Sequence, residues 1–240
     1  MEAFIPAAGL GTRLKPITDS IPKALLEING ITLLEIVLKR LALYSFDTFV
    51  INIHHFGGQI IEFLESRNNF ELNIKISDER HKLLDTGGGL KQALNYLKEE
   101  NFLIHNVDIL TDLNPTGLMT YHLENEAIVT LAVQERESSR YFLFDDDKIL
   151  CGWENVKTGE KKIVRSHGGV LKRFAFSGIH AVSGEIRTMM PPQDVFSVID
   201  FYLSIAAKHQ ITYFNHSNTK FIDLGKKGNI ADAENLLNYI

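Results

Sequence analysis

The residues equipped for chemistry begin almost at once. Ala7-Ala8-Gly9-Leu10-Gly11-Thr12-Arg13-Leu14-Lys15-Pro16 follows a short apolar run, and Pro22-Lys23-Ala24-Leu25 comes soon after. Glycines at 9 and 11 let backbone N–H groups approach phosphate oxygens closely. Arg13 and Lys23 can then supply two cations to one anion, the first as a planar fork and the second as a point charge. By itself a two-glycine loop is more often a turn whose cations are solvated. Two other phosphate loops are excluded. A dinucleotide fingerprint needs a third glycine where Leu14 stands, and a Walker loop needs Gly-Lys-Ser/Thr, which is absent.

Later segments add carboxylates and more glycine. Asp85-Thr86-Gly87-Gly88-Gly89 stands directly before a predicted helix. Three glycines there leave a flat face for a base or sugar, and the helix N-terminus adds donors; a helix-capping loop is the alternative. The Asp-Thr-Gly of aspartic proteases would need a second copy and a β-rich fold. Asn106-Val107-Asp108 closes the apolar strand Phe102-Leu103-Ile104, where a carboxylate is well placed to hold Mg²⁺ or, equally, to cap the next turn. Phe221-Ile222-Asp223-Leu224-Gly225 puts another Asp at a strand end. Asp145-Asp146-Asp147 contains an Asp-x-Asp, but between two strand-like runs it reads as a solvated turn. His54-His55 has no Cys/His spacing that suggests zinc, and His105 and His180 sit in apolar runs that suit structural roles.

Strands alternating with helices must position these groups. A strand begins at Ala3-Phe4-Ile5, and Thr32 to Tyr44 is a predicted helix with Leu34, Val37, Leu38 and Leu41 on one face and Thr32 with Glu35 as a capping box. Thr48 to Ile53 is a strand, Gln59 to Ser66 a helix and Leu72 to Ile76 a strand. A helix follows Gly89, then the strand at Phe102, a helix near Leu118 to Leu123 and a strand over Ala127 to Val133. From about Glu135 to Arg173 the pattern changes to a hairpin around the acidic turn and a polar, Lys-rich stretch. That is expected to be an antiparallel β insertion, about 135–175, near the acceptor site. Alternation resumes with a short helix after Val182, a helix over Val195 to Lys208, a strand over Ile211 to Phe214 and a last helix over Ile230 to Tyr239. The expected architecture is a three-layer α/β/α, Rossmann-like (GT-A-like) domain over 1–240, with a mostly parallel sheet.

Taken whole, Gly-x-Gly-Thr-Arg-Leu-x-Pro with its downstream Pro-Lys resembles the signature of the sugar-phosphate nucleotidyltransferase family, and the resemblance recurs through most of the chain. It implies transfer of a nucleoside monophosphate from a nucleoside triphosphate to a sugar 1-phosphate, with release of pyrophosphate. It implies that Ala8, Gly9, Gly11, Thr12, Arg13, Lys23, Gly87 and Gly88 bind the nucleotide, with Arg13 and Lys23 catalytic. Asn106 and Gly178, the latter in Phe176-Ser177-Gly178-Ile179, would bind the acceptor; Asp108 and Asp223 would hold Mg²⁺. Val107 replaces a common glycine, Phe221 a common Trp, and the Glu-Lys-Pro motif of larger relatives is missing. Trp153, Glu154 and Asn155 are candidates to cover the sugar. The compact form with Asp-Thr-Gly-Gly-Gly is most similar to bacterial N-acetylmuramate 1-phosphate uridylyltransferases of cell-wall recycling. Mannose-1-phosphate guanylyltransferase is the alternative, and a phosphocholine cytidylyltransferase is a third. Outside this class stand a nucleotide-sugar glycosyltransferase using Asp-x-Asp and a non-catalytic nucleotide-binding module.

Composition narrows the partners. With 240 residues, 45% hydrophobic and 23% charged, the chain is of ordinary globular make-up. A net charge of −5 offers no footprint for nucleic acid, so an anionic ligand must be held by a few local cations. One cysteine, Cys151, excludes an intramolecular disulfide. Arg13, Lys15, Asp19 and Lys23 interrupt any signal-like run, and no apolar stretch approaches a membrane span. A cytoplasmic protein, monomeric or homodimeric, is expected.

Overall fold

The computed structural model describes residues 1–166, 168–225 and 229–237. In chain order the elements are β1 (Glu2–Pro6), β2 (Glu27–Ile28), β3 (Ile31–Thr32), α1 (Leu33–Leu43), β4 (Thr48–Ile53), α2 (Gly57–Ser66) and β5 (Asn73–Asp78). Then follow α3 (Asp85–Ala93), β6 (Asn101–His105), β7 (Ile109–Thr111), α4 (Pro115–Glu124), β8 (Val129–Gln134), β9 (Arg140–Phe144), β10 (Leu150–Asn155) and β11 (Glu160–Ile163). The chain continues with β12 (Lys172–Ser183), α5 (Val198–Ile205), β13 (Ile211–Asn215), β14 (Phe221–Asp223) and α6 (Ile230–Leu237). The last helix was expected to reach Tyr239, which lies outside the described residues.

The strands show why helices must cover both faces of the sheet. Side chains alternate across a strand, and here both sets are apolar. Ala3, Ile5, Phe49 and Ile51 face one core with α1, α2 and α4, while Phe4, Val50, Phe102 and Ile104 face a second with α3 and α5. β5, β4, β1 and β6 run parallel; β12 is antiparallel to β6 and β8, and β13 is parallel to β8. The sheet is therefore mixed, with a parallel core. Thr32 caps α1, its Oγ1 accepting from Glu35 N–H at 3.2 Å. Glu35 does not complete the box; it turns to Lys39 at 2.6 Å.

The antiparallel strands of the insertion join the main sheet: β11, β10 and β9 extend it, because the first half of β12 pairs with β9 and its second half with β6. Two expectations change. α3 starts at Asp85, so the glycines lie inside the helix instead of before it. α5 starts only at Val198, capped by Ser197, and the residues before it cross the start of α3.

Candidate active site

The loop after β1 is suspended from the neighbouring strand. Asn52, in β4, accepts through Oδ1 from the N–H groups of Ala7 at 2.7 Å and Ala8 at 3.3 Å. Its amide donates to Glu79 Oε1 at 2.7 Å, and Glu79 Oε2 accepts from Leu84 N–H at 3.4 Å. Burial pushes the Glu79 carboxyl above its ordinary value, opposed by these donors. Gly11 has φ +63°, and a Cβ there would lie 2.8 Å from Thr18, whose hydroxyl donates to the Gly11 carbonyl. Gly9 is different: a Cβ would meet nothing within 4 Å and would project into open space. The N–H groups of Gly9, Leu10 and Gly11 find no acceptor among the described residues.

Charged groups gather opposite this loop. Lys23, 9% exposed, forms an ion pair with Asp108. β14 pairs antiparallel with β7, setting Asp223 against Ile109, and Leu224 N–H donates to the Asp108 carbonyl at 2.9 Å. The two aspartates, far apart in sequence, are thus neighbours. Asp223 Oδ1 accepts from Gly225 N–H at 2.7 Å. A Cβ on Gly225 would stand 2.8 Å from both Arg13 Nη2 and Asp223 Oδ1, so Arg13 closes the ring. Two carboxylates are too few for an all-protein metal cage, and among the described residues no group of three or more His, Cys, Asp or Glu could hold one. They do suit Mg²⁺, which keeps only one or two carboxylates beside phosphate oxygens and water.

Two adjoining cavities share Pro6, Arg13, Thr86, Asn106 and Asp108. One, of about 620 Å³, is lined by Ala8, Gly9, Gly11, Thr12 and Lys23 of the expected set. The other, of about 500 Å³, takes Gly178, Asp223 and Trp153. Gly178 has φ +73° where the pairing of β12 with β8 breaks, and its carbonyl accepts from Asn106 N–H at 3.0 Å. Val107, in the place of a common glycine, packs into the core at 4% exposure. Asp145-Asp146-Asp147 lines neither cavity: Asp145 closes its own turn onto Ile149 N–H at 2.8 Å, and Asp146 pairs with Lys172.

Gly87 and Gly88 depart from expectation. Neither lines a cavity, and both donate N–H to the carbonyl of Phe196, at 2.9 and 3.3 Å. A Cβ on Gly87 would lie 2.4 Å from the Phe196 ring, and one on Gly88 1.9 Å from the Asp194 carbonyl oxygen. Clearance for residues 194–196 is the visible reason for glycine here. Asn52, Glu79, Arg136, Leu83 and Val195 were not foreseen as lining residues. Of these only Asn52, polar within an otherwise apolar strand, carried a signal.

A sequence profile described as Nucleotidyl transferase matches residues 2–148. Over 108 residues the chain is 44% identical to the N-acetylmuramate alpha-1-phosphate uridylyltransferase of Caulobacter vibrioides, covering 44% of this chain and 45% of that protein. A UTP–glucose-1-phosphate uridylyltransferase of Synechocystis sp. is 33% identical over 243 residues, 94% of this chain and 60% of its own. The chain thus spans about half the length of the curated relatives it matches. HddC from Yersinia pseudotuberculosis, crystallised with GMP-PN, has a TM-score of 0.80 at 22% identity, covering 98% of this chain and 99% of that one. Likeness at that identity speaks for the fold.

Proposed function

Because the chain belongs to the nucleotidyl transferase family, we propose that it joins a nucleoside monophosphate to a sugar 1-phosphate, with UTP and N-acetylmuramate 1-phosphate as its pair. An acceptor phosphate oxygen attacks the α-phosphorus of the triphosphate in line. The bond from that phosphorus to the bridging oxygen breaks, and pyrophosphate leaves with the electron pair. No strong base is required, since a phosphate monoester is already anionic near neutral pH. Catalysis rests on positioning and charge neutralisation.

The observation that carries this reading is that Arg13 and Asp108 stand on the common wall of the two cavities, with Lys23, paired to Asp108, and the open glycine loop lining the first. Arg13 holds the departing β- and γ-phosphates, and Lys23 meets charge at the α-phosphate. Asp108 and Asp223 would hold Mg²⁺, which when bound would neutralise phosphate charge. The choice of uridylyl transfer to N-acetylmuramate 1-phosphate draws support from the 44% identity to the Caulobacter enzyme.

A matrix of UTP, GTP, CTP, ATP and dTTP against N-acetylmuramate, glucose and mannose 1-phosphates, followed by pyrophosphate release, tests it. UTP with N-acetylmuramate 1-phosphate is expected to be the best pair. A preference for GTP with mannose 1-phosphate would make the chain a guanylyltransferase instead, and silence with every pair would end the enzymatic reading.

A further inference from the structure

Arg136 follows β8 and lines the second cavity. Its guanidinium lies over the Phe221 ring, 4.7 Å from the centroid, and Nη2 donates to the Phe176 carbonyl at 2.8 Å. The fork is therefore held flat from two sides. Nε is buried and has no hydrogen-bond partner among the described residues. Among the described residues Arg136 makes no ion pair, though the Asp223 carboxylate acts on it through space. A cation removed from water without a partner is costly, and one held rigidly at a cavity wall is offset when an anion arrives. The same cavity is lined by apolar Leu90, Ile104, Phe142 and Val198 and by polar Ser138, Ser139 and Arg140.

We propose that Arg136 receives anionic oxygens of the acceptor, binding them through its free donors in the second cavity. This rests on the nucleotidyl-transfer reading and deepens it. Arginine suits a phosphate or a carboxylate equally, because its planar fork matches two oxygens of either. The anion is either the anomeric phosphate or a carboxylate borne by the sugar.

The test compares wild type, Arg136→Gln and Arg136→Lys with N-acetylmuramate 1-phosphate and N-acetylglucosamine 1-phosphate, which lacks the lactyl carboxylate, at saturating UTP. Arg136→Gln is expected to raise the acceptor KM roughly tenfold or more, leaving the UTP KM within about twofold, and Lys is expected to restore part of the loss. Equal losses on both acceptors assign the phosphate; a loss confined to N-acetylmuramate 1-phosphate assigns the carboxylate. An unchanged acceptor KM, or both KM values rising together with a lower Tm, overturns the proposal. If wild type turns over no pair, nucleotidyl transfer itself fails. Calorimetric titration with N-acetylmuramate 1-phosphate then still decides Arg136: binding lost in Arg136→Gln supports the proposal, and binding kept by the variant, or absent from wild type, overturns it.

Discussion

Acid should dismantle this fold in a narrow pH window, and the acceptor wall with it. His105, His122, His180 and His216 are all 4% exposed or less. Burial holds the imidazoles of His105, His122 and His216 down to about 4 and that of His180 to about 3, against an ordinary 6.5. Their contacts fit neutral rings. His122 Nδ1 accepts from Thr130 Oγ1 at 2.9 Å while Nε2 donates to Asn101 Oδ1 at 3.2 Å. His216 bridges Thr219 at 2.7 Å and Ser177 at 2.8 Å, beside Gly178. Below pH 6.5 the unfolded chain takes up protons that the folded chain refuses until about 4, so stability is full above 6.5 and is lost as pH falls through that window. Each ring amounts to roughly 3 kcal/mol when complete, His180 to roughly 5 kcal/mol, and each to about 2 kcal/mol at pH 5. Together, at pH 5, that is about 8 kcal/mol, which rivals the roughly 5–15 kcal/mol of a typical domain. Glu79 works the other way, since its raised carboxyl pKa favours the folded state at low pH, but it is one group against four. Urea denaturation at several pH values between 7.5 and 4.5 measures this. A midpoint that stays level from pH 7 to 5 would refute it.

The glycine substitutions should divide sharply. Gly9→Ala is expected to leave Tm unchanged, because nothing stands within 4 Å of the new Cβ, while the nucleotide KM rises roughly tenfold or more; an unchanged KM would remove Gly9 from the nucleotide site. Gly88→Ala is expected to do the reverse and cost about 3 kcal/mol or more, since backbone stands 1.9 Å away; wild-type stability by urea denaturation would contradict that packing. Lys23→Ala is expected to lower kcat roughly tenfold or more, and near-normal turnover by pyrophosphate release would take Lys23 out of the mechanism.

Local pattern revealed the elements better than their partners. α1 could be read because its apolar spacing follows the helical period, and β4 because it is a short continuous apolar run whose boundaries agree with the structure. α3 was misplaced because glycine disfavours helix, while the contact that requires it, with residues 194–196, lies more than a hundred positions away. The merging of the insertion with the main sheet depends on β12 changing partners along its length, from β9 to β6, and periodicity does not encode partners. Asp108 and Asp223 could be picked out as strand-end carboxylates, but what unites them is the pairing of β7 with β14. Arg136 left no trace in the sequence, since its place on the cavity wall, against the Phe221 ring and the Phe176 carbonyl, is a property of the folded chain.

The claim on which the rest depends is that Asp108 and Asp223 serve one divalent ion beside the triphosphate. Pyrophosphate release, measured across a Mg²⁺ titration after chelation, tests it in wild type, Asp108→Asn and Asp223→Asn. Chelation is expected to abolish wild-type turnover, Mg²⁺ to restore it, and each variant to need roughly tenfold more Mg²⁺ or to stay inactive. Turnover that persists without divalent ion, or variants that titrate together with wild type, would contradict it.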